Sequence, residues 1–303
     1  MQPPTSSDGK PIRILLQTTI EHADDAWHVG RFSMLRDHLR ALRTPDGDPL
    51  CAVTARDRET ADDDPLLSRL DEAPFDQVWL FAVDVGNGLT PRECEAVFEF
   101  HARGGGILVA RDHRDLGSSL RGIRCLGPIE HFHDFQPESE EGRRTDDDRN
   151  PAISWPNYHS GSNGDLQPIR PVSPAHPLLF RDGRSAAGGL LARFPAHPHE
   201  GAIAPPPDDP NVRVVAEGLS TLSGRSFNLV VAEDRVSGDD GRRHGRIVAH
   251  SSFHHLCDYN CSTSAGAPSF VDDPPGTEIA GDPHALDDIK TYVGNAVHWL
   301  AAG

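Results

Sequence analysis

FDQVWLFAVDVGNGLTPRECEAVFEFHARGGGILVARDH, residues 75–113, decides the fold class. FDQVWLFAVD (75–84) reads as a strand. Thr90-Pro91-Arg92-Glu93 is a capping box, with a threonine hydroxyl and a glutamate placed to satisfy each other's backbone donors. Pro91 sits at the first helical position, where a missing N–H costs nothing. Cys94, Val97, Phe98 and His101 continue one helical face. Gly104-Gly105-Gly106 ends that helix and turns into ILVAR (107–111), a second buried strand. Strand, helix and strand form a βαβ unit, and its crossover is expected to be right-handed.

The flanking chain extends this unit. IRILL (12–16) is a continuous apolar run, as a parallel strand covered on both faces requires. LCAVT (50–54) reads as another short strand. A helix is expected from about Ala26 to Leu42, with Val29, Phe32, Leu35, Leu39 and Leu42 as its apolar stripe. VRVVAEG (212–218), FNLVVAED (227–234) and RIVAH (246–250) are further strands, and SGDDGRRHG (237–245) is a hairpin connection. The C-terminal helix is expected from about His284 to Ala301, on the stripe Leu286, Ile289, Val293, Ala296, Val297 and Leu300. Periodicity dissolves over 121–211. That stretch is expected to be an irregular insertion over the carboxyl-terminal edge of the strands, with short elements of its own. Within it, ESEEGRRTDDDRN (138–150) reads as a mobile charged surface loop, and Asp62-Asp63-Asp64 and Asp146-Asp147-Asp148 as solvated surface. One α/β domain is expected over residues 1–303.

Bulk properties narrow the function classes. With 303 residues and a formal net charge of -17, the chain lacks the basic face that a nucleic-acid partner needs. Mean hydropathy is -0.48 and no apolar run approaches membrane length, so no membrane partner is expected. MQPPTSSDGK has no apolar segment of the signal-peptide kind. The five cysteines (Cys51, Cys94, Cys125, Cys257, Cys261) have no disulfide-framework spacing, which points to a reducing cytoplasm. The spacing of Cys257 and Cys261 lacks the second ligand pair that a structural zinc wants. There is no Walker A sequence and no G-x-S-x-G elbow. The expected partner is therefore a small molecule, with no nucleotide cofactor. A homodimer is compatible with the fold class.

The strand, the T-P-R-E helix, the GGG turn and the strand ILVARDH together resemble the core of the class I glutamine amidotransferase-like fold. Within that fold the chain looks like the trehalose-utilisation (ThuA-like) proteins. GRIVAHSSFHH (245–255) resembles their closing strand, in which a histidine pair follows the strand. The resemblance covers roughly 10–120 and 212–300 and leaves the middle insertion unexplained. It implies a flavodoxin-like, mostly parallel sheet with helices on both faces, and a carbohydrate or a derivative as substrate. One departure stands out. Amidotransferases of this class carry a cysteine at the turn after the strand, and here the strand ends in Asp112-His113. Thiolate chemistry of that type is not expected, and a shared scaffold does not fix a function.

Three histidine-bearing segments carry the chemistry: RDHRDLG (111–117), PAHPHEG (195–201) and HSSFHHLCDYN (250–260). The first and third follow strands, and in open α/β sheets the functional crevice lies beyond the strands' carboxyl ends. Asp112 and His113 are expected to face it, His113 as a metal ligand or a general base. His254 and His255 are adjacent and point opposite ways in extended chain, so one belongs in the site, with His254 favoured. Asp258 and Asn260 can orient an imidazole. In the proline-containing loop, with His197 beside them, His199 and Glu200 have the chemistry of a ligand plus a general base. His22, Asp24, Asp25 and His28 follow the first strand, and Asp84 ends another; His28, Asp84 and His159 are expected at the substrate. The predicted set is catalytic Asp112, His113 and Glu200, with a divalent metal (zinc, manganese or iron) on His113, His199, His254 and His255. Hydrolysis or lyase chemistry on a small polar molecule follows. The alternative is a non-catalytic binding or interaction protein that keeps the crevice without the nucleophile.

Overall fold

The computed structural model describes residues 10–113, 116–129, 145–147, 153, 155–238 and 241–301. Its strands are β1 (Ile12–Glu21), β2 (Cys51–Arg58), β3 (Gln77–Phe81), β4 (Gly106–Ala110), β5 (Leu166–Pro168), β6 (Arg170–Pro171), β7 (Arg193–Pro195), β8 (Val212–Leu219), β9 (Ser226–Glu233) and β10 (Ile247–His250). Eight of them form one sheet in the order β2-β1-β3-β4-β10-β9-β8-β6, and β5 pairs with β7 separately. From β2 to β10 every pairing is parallel. From β10 to β6 every pairing is antiparallel. The change of sense comes at β9, which pairs antiparallel with both of its neighbours in sequence, β8 and β10.

The apolar runs are continuous because both faces of the sheet are covered. Trp79, Phe81, Leu108, Ala110 and Val248 pack on one face, against α1 (Ser33–Ala41) and the long C-terminal helix. Val78, Leu80, Ile107, Val109 and Ile247 pack on the other, against α2 (Pro91–Ala102). Successive strand residues thus serve opposite cores, and neither parity is free to be polar. The helical elements after α2 are α3 (Asp258–Cys261), α4 (Glu278–Gly281) and α5 (Asp287–Ala301). No helix among the described residues is long and apolar enough to cross a membrane.

The capping box at α2 is present in full: Glu93 N–H donates to Thr90 Oγ1 at 3.3 Å, and Thr90 N–H donates to Glu93 Oε2 at 2.7 Å. The first helix differs from expectation. It begins at Ser33, after a single 3-10 turn over Val29–Phe32, not at Ala26. The cap comes from a distant residue: Asp258 accepts from Ser33 N at 2.9 Å, Ser33 Oγ at 2.5 Å and Met34 N at 2.8 Å. Residues 22–28 stay irregular, and Asp57 accepts from Val29 N at 2.6 Å. The C-terminal helix likewise starts at Asp287, three residues later than His284.

The acidic runs are not simply solvated. Asp64 is fully buried, accepts a bidentate pair from Arg56 at 2.9 and 2.7 Å, and accepts from Leu67 N at 2.9 Å. Asp146 and Asp147 are also buried. Most of 138–150, including Asp148, lies outside the described residues. The stretch 121–211 contributes β5, β6 and β7, and β6 forms the outer strand of the sheet. It also passes across the carboxyl ends of the central strands. There a Cβ on Gly201 would stand 2.5 Å from the carbonyl oxygens of both Asp112 and Ser251, so only glycine permits the approach.

Candidate functional site

Register aligns the central strand ends. Thr18 pairs with Phe81, Phe81 with Ala110, and Ala110 with His250. The residues just beyond these positions therefore meet at one edge, next to the reversal of strand order at β1 and β3. Asp112 lies two residues past β4. His254 lies four past β10, in the 3-10 turn Phe253–Leu256, tied back by Phe253 N–H donating to Arg111 O at 2.7 Å. The crossing segment adds His197 immediately above them. The three side chains are buried, and their ligand atoms all lie within 4.8 Å of one another. Asp112 Oδ2 stands 3.3 Å from His197 Nε2 and 3.8 Å from His254 Nε2. The two imidazoles stack with centroids 3.6 Å apart.

The far side of each ring is fixed by an asparagine. His197 Nδ1 is 3.0 Å from Asn163 Oδ1, and His254 Nδ1 is 2.8 Å from Asn260 Oδ1. Asn260 Nδ2 donates to Ala196 O at 2.9 Å and to Asn163 Oδ1 at 2.7 Å. A backbone carbonyl can only accept, so this contact settles the Asn260 amide, which in turn settles the Asn163 amide. Both asparagine oxygens then face histidine nitrogens, so both Nδ1 atoms carry the proton. Burial, reinforced by neighbouring histidines, pushes the His197 and His254 pKa values well below the ordinary range. The rings are neutral, and each Nε2 presents a lone pair toward the Asp112 carboxylate. Asp112 Oδ1 and His197 Nε2 have no hydrogen-bond partner among the described residues. Three acceptors facing one another in a buried place are a donor set that could hold a cation. Ligands of a tetrahedral zinc at about 2.0–2.1 Å sit roughly 3.3 Å apart, so the Asp112–His197 separation fits such an ion and His254 is within a small adjustment.

The cluster forms the floor of a cavity of about 400 Å³. Trp27, Val85, Phe270 and Val271 make apolar walls; His113 and His199 also face it. His113 Nε2 is 3.9 Å from Asp112 Oδ2. His199 lies between carboxylates, with Nε2 2.8 Å from Asp273 Oδ2 and Nδ1 3.2 Å from Asp147 Oδ2.

Other predicted residues sit elsewhere. Glu200 and His255 are fully buried in a separate network and do not reach the cluster: His255 Nε2 is 2.9 Å from Glu200 Oε1, and Ser160 and Gln167 donate to the same carboxylate. The network continues from His255 Nδ1 to His250 Nδ1 at 3.3 Å, and from His250 Nε2 to Tyr292 OH at 2.7 Å. Neither Glu200 nor His255 lines the cavity, and both His255 nitrogens face other partners in this network. Asp258 caps α1 as described, and Asp84 holds its own loop, accepting from Ser119 Oγ at 2.9 Å and Gly86 N at 3.0 Å. His159 faces Thr221 at 3.2 Å. His28 belongs to a second group, His22–His28–Asp57, nearer the surface. Its Nδ1 accepts from Gly30 N at 3.1 Å, so the neutral ring carries its proton on Nε2 and offers no lone pair there. Of the predicted substrate contacts, Asn260 is the one built into the cluster, behind His254.

Asn163 is a central residue that sequence reasoning does not name, and His197 is one that it names with its loop but leaves out of the predicted ligand set. His197 lies in PAHPHEG, where the His-Glu pair two residues on looked chemically richer. The cysteines take no part. Cys51, Cys94, Cys257 and Cys261 are buried and none lines the cavity. Burial pushes the thiols up, Cys94 to about 11 and Cys261 to about 12.

The chain is similar in structure to a ThuA-like protein from Parabacteroides merdae ATCC 43184, with a TM-score of 0.51 and 16% identity over 97% of this chain and 91% of that one. A cytoplasmic protein from Salmonella typhimurium matches with a TM-score of 0.43 and 12% identity over 93% and 98%. The glutaminase domain of a Trypanosoma brucei CTP synthase matches with a TM-score of 0.42 and 15% identity over 96% and 97%. No protein-family profile and no curated protein matches this chain.

Proposed function

On a ThuA-like, glutamine amidotransferase-like fold with a mostly parallel central sheet, we propose a metal-dependent hydrolase or lyase for a small polar substrate. In this reading Asp112, His197 and His254 hold one divalent cation, zinc, manganese or iron. A single observation carries it: two neutral imidazoles, with tautomers fixed through Asn163, Asn260 and Ala196 O, present acceptor atoms to a buried carboxylate. A non-catalytic remnant of the fold has no use for that arrangement.

When bound, the ion supplies Lewis acidity to water or to a substrate oxygen. Asp112 contributes charge, and the asparagines hold both rings in place as partners behind metal-binding histidines do. His113, at the cavity side of Asp112, is the residue placed to move a proton during the reaction. His199, clamped by Asp147 and Asp273, fixes the crossing segment over the cavity. Trp27 and Phe270 give the substrate apolar faces, and a cavity of about 400 Å³ matches a small molecule.

The test is a hydrolysis screen on small sugars and amides, with and without chelator. The expected result is turnover that chelator abolishes, that added metal restores, and that falls by about 100-fold or more in His113→Ala with metal content unchanged. Turnover indifferent to chelator would contradict the metal-dependent reading.

A further inference from the structure

A second cleft, of about 750 Å³, opens at the other end of the sheet. Arg246, which precedes β10, lines it, whereas the metal cluster lies beyond the end of β10. α5 forms one wall through Gly294, Asn295 and Trp299.

The charge balance in this cleft is unlike that of the chain, whose net charge is -17. Four arginines and two histidines line it, against two aspartates. Two of the arginines are already matched: Arg181 stands 2.7 Å from Asp288, and Arg246 is 2.9 Å from Asp234. Asp182 is committed to its own turn, accepting from Arg184 N and Ser185 N at 2.8 Å each. Arg184 and Arg213 have no carboxylate partner among the described residues. Arg213 spends one donor on Pro174 O at 2.7 Å.

A donor on a buried ring gives an independent sign. His176 is 5% exposed and lines the cleft. Its Nδ1 accepts from Leu178 N at 3.2 Å, so the neutral ring carries its proton on Nε2. That N–H has no hydrogen-bond partner among the described residues. The ring stays neutral because burial lowers its pKa to about 3. Half-buried His298 adds Nδ1, a buried atom with no partner among the described residues. Two guanidinium groups and a fixed imidazole donor are the groups that recognise an oxyanion. The cleft is far larger than a bare ion, and Phe180 and Trp299 offer apolar surface beside the charges.

We propose that this cleft binds a small organic oxyanion, its phosphate or carboxylate head held by Arg184, Arg213 and the His176 Nε2–H, its body against Phe180 and Trp299. The site is independent of the metal cluster, at the opposite end of the strands.

The test is equilibrium dialysis of the full chain against radiolabelled inorganic phosphate and, separately, citrate, in chloride of matched ionic strength. Saturable binding near one equivalent is expected for at least one probe. The stronger probe identifies the head group. Arg184→Gln/Arg213→Gln should weaken binding about tenfold or more, while Asp112→Asn leaves it unchanged. Arg184 is exposed, so Arg184→Gln alone keeps the fold and should weaken binding severalfold. Absence of saturable binding to both probes would overturn the proposal. So would binding that survives both arginine variants, or binding lost in Asp112→Asn, which would place the anion on the metal.

Discussion

Ala196 contributes one carbonyl oxygen, and through it the protonation of two imidazoles is set. The Asn260 amide is held by that carbonyl and by Asn163, so removing it frees both rings. Asn260→Ala is predicted to weaken metal affinity by about 10–100-fold while the chain still folds. Competition with a chromophoric chelator measures this, and unchanged affinity would show that the asparagines are passengers. At this scale the sequence was partly legible. Asp112, His113 and His254 follow apolar runs, and a residue just past a parallel strand has few places to go but the crevice. His197 could not be found that way, because it sits in an irregular segment whose path over the sheet depends on long-range contacts. Glu200 and His255 misled for the same reason: both have ligand chemistry, and only packing shows that they satisfy each other.

α2 shows how much an element can reveal from sequence and how much it conceals. The capping box was readable because Thr90, Pro91 and Glu93 are local. The second role of Glu93 was not. Its carboxylate also accepts from buried Arg58, at 2.8 and 2.9 Å, from a strand 35 residues away. Thr90→Ala should cost about 1 kcal/mol, the ordinary value of a cap. Glu93→Ala should cost roughly 3–5 kcal/mol, because it leaves the Arg58 charge buried and unpaired. Urea denaturation of the two variants checks the ratio, and equal losses would contradict the account. α1 makes the complementary point. Its apolar stripe was visible, but its start was not, because the cap is Asp258, which follows β10 near the far end of the chain.

The molecule as a whole joins these parts through burial of ionisable groups. Burial holds His101 down at about 4 and His176 at about 3, against 6.5 when unfolded. Below pH 6.5 the unfolded chain takes up protons that these folded rings refuse, so stability should fall from pH 6.5 toward 3. Glu233 acts in reverse. Burial raises it to about 8 from 4.5, so the folded carboxyl keeps a proton that the unfolded one releases. Its contribution should decline as pH rises from 4.5 to 8. Melting temperature against pH is therefore predicted to peak between these limbs. His101→Gln, which can keep the bond that His101 Nε2–H makes to Gly245 O at 3.1 Å, should flatten the acid limb. An acid limb equally steep in that variant would remove His101 from the account. The parallel half of the sheet was legible from double-sided apolar runs. The antiparallel half was visible only at its hairpin, since strand order is set by packing that no local period records.

Elemental analysis of the untagged protein, repeated on Asp112→Asn, His197→Ala, His254→Ala and His22→Ala, bears most directly on the central claim. Close to one equivalent of zinc, manganese or iron per chain is expected, lost in the first three variants and kept in His22→Ala, which alters the other histidine–aspartate group. No metal in the parent after incubation with each of the three ions, or metal retained when Asp112 or His197 is replaced, would contradict it.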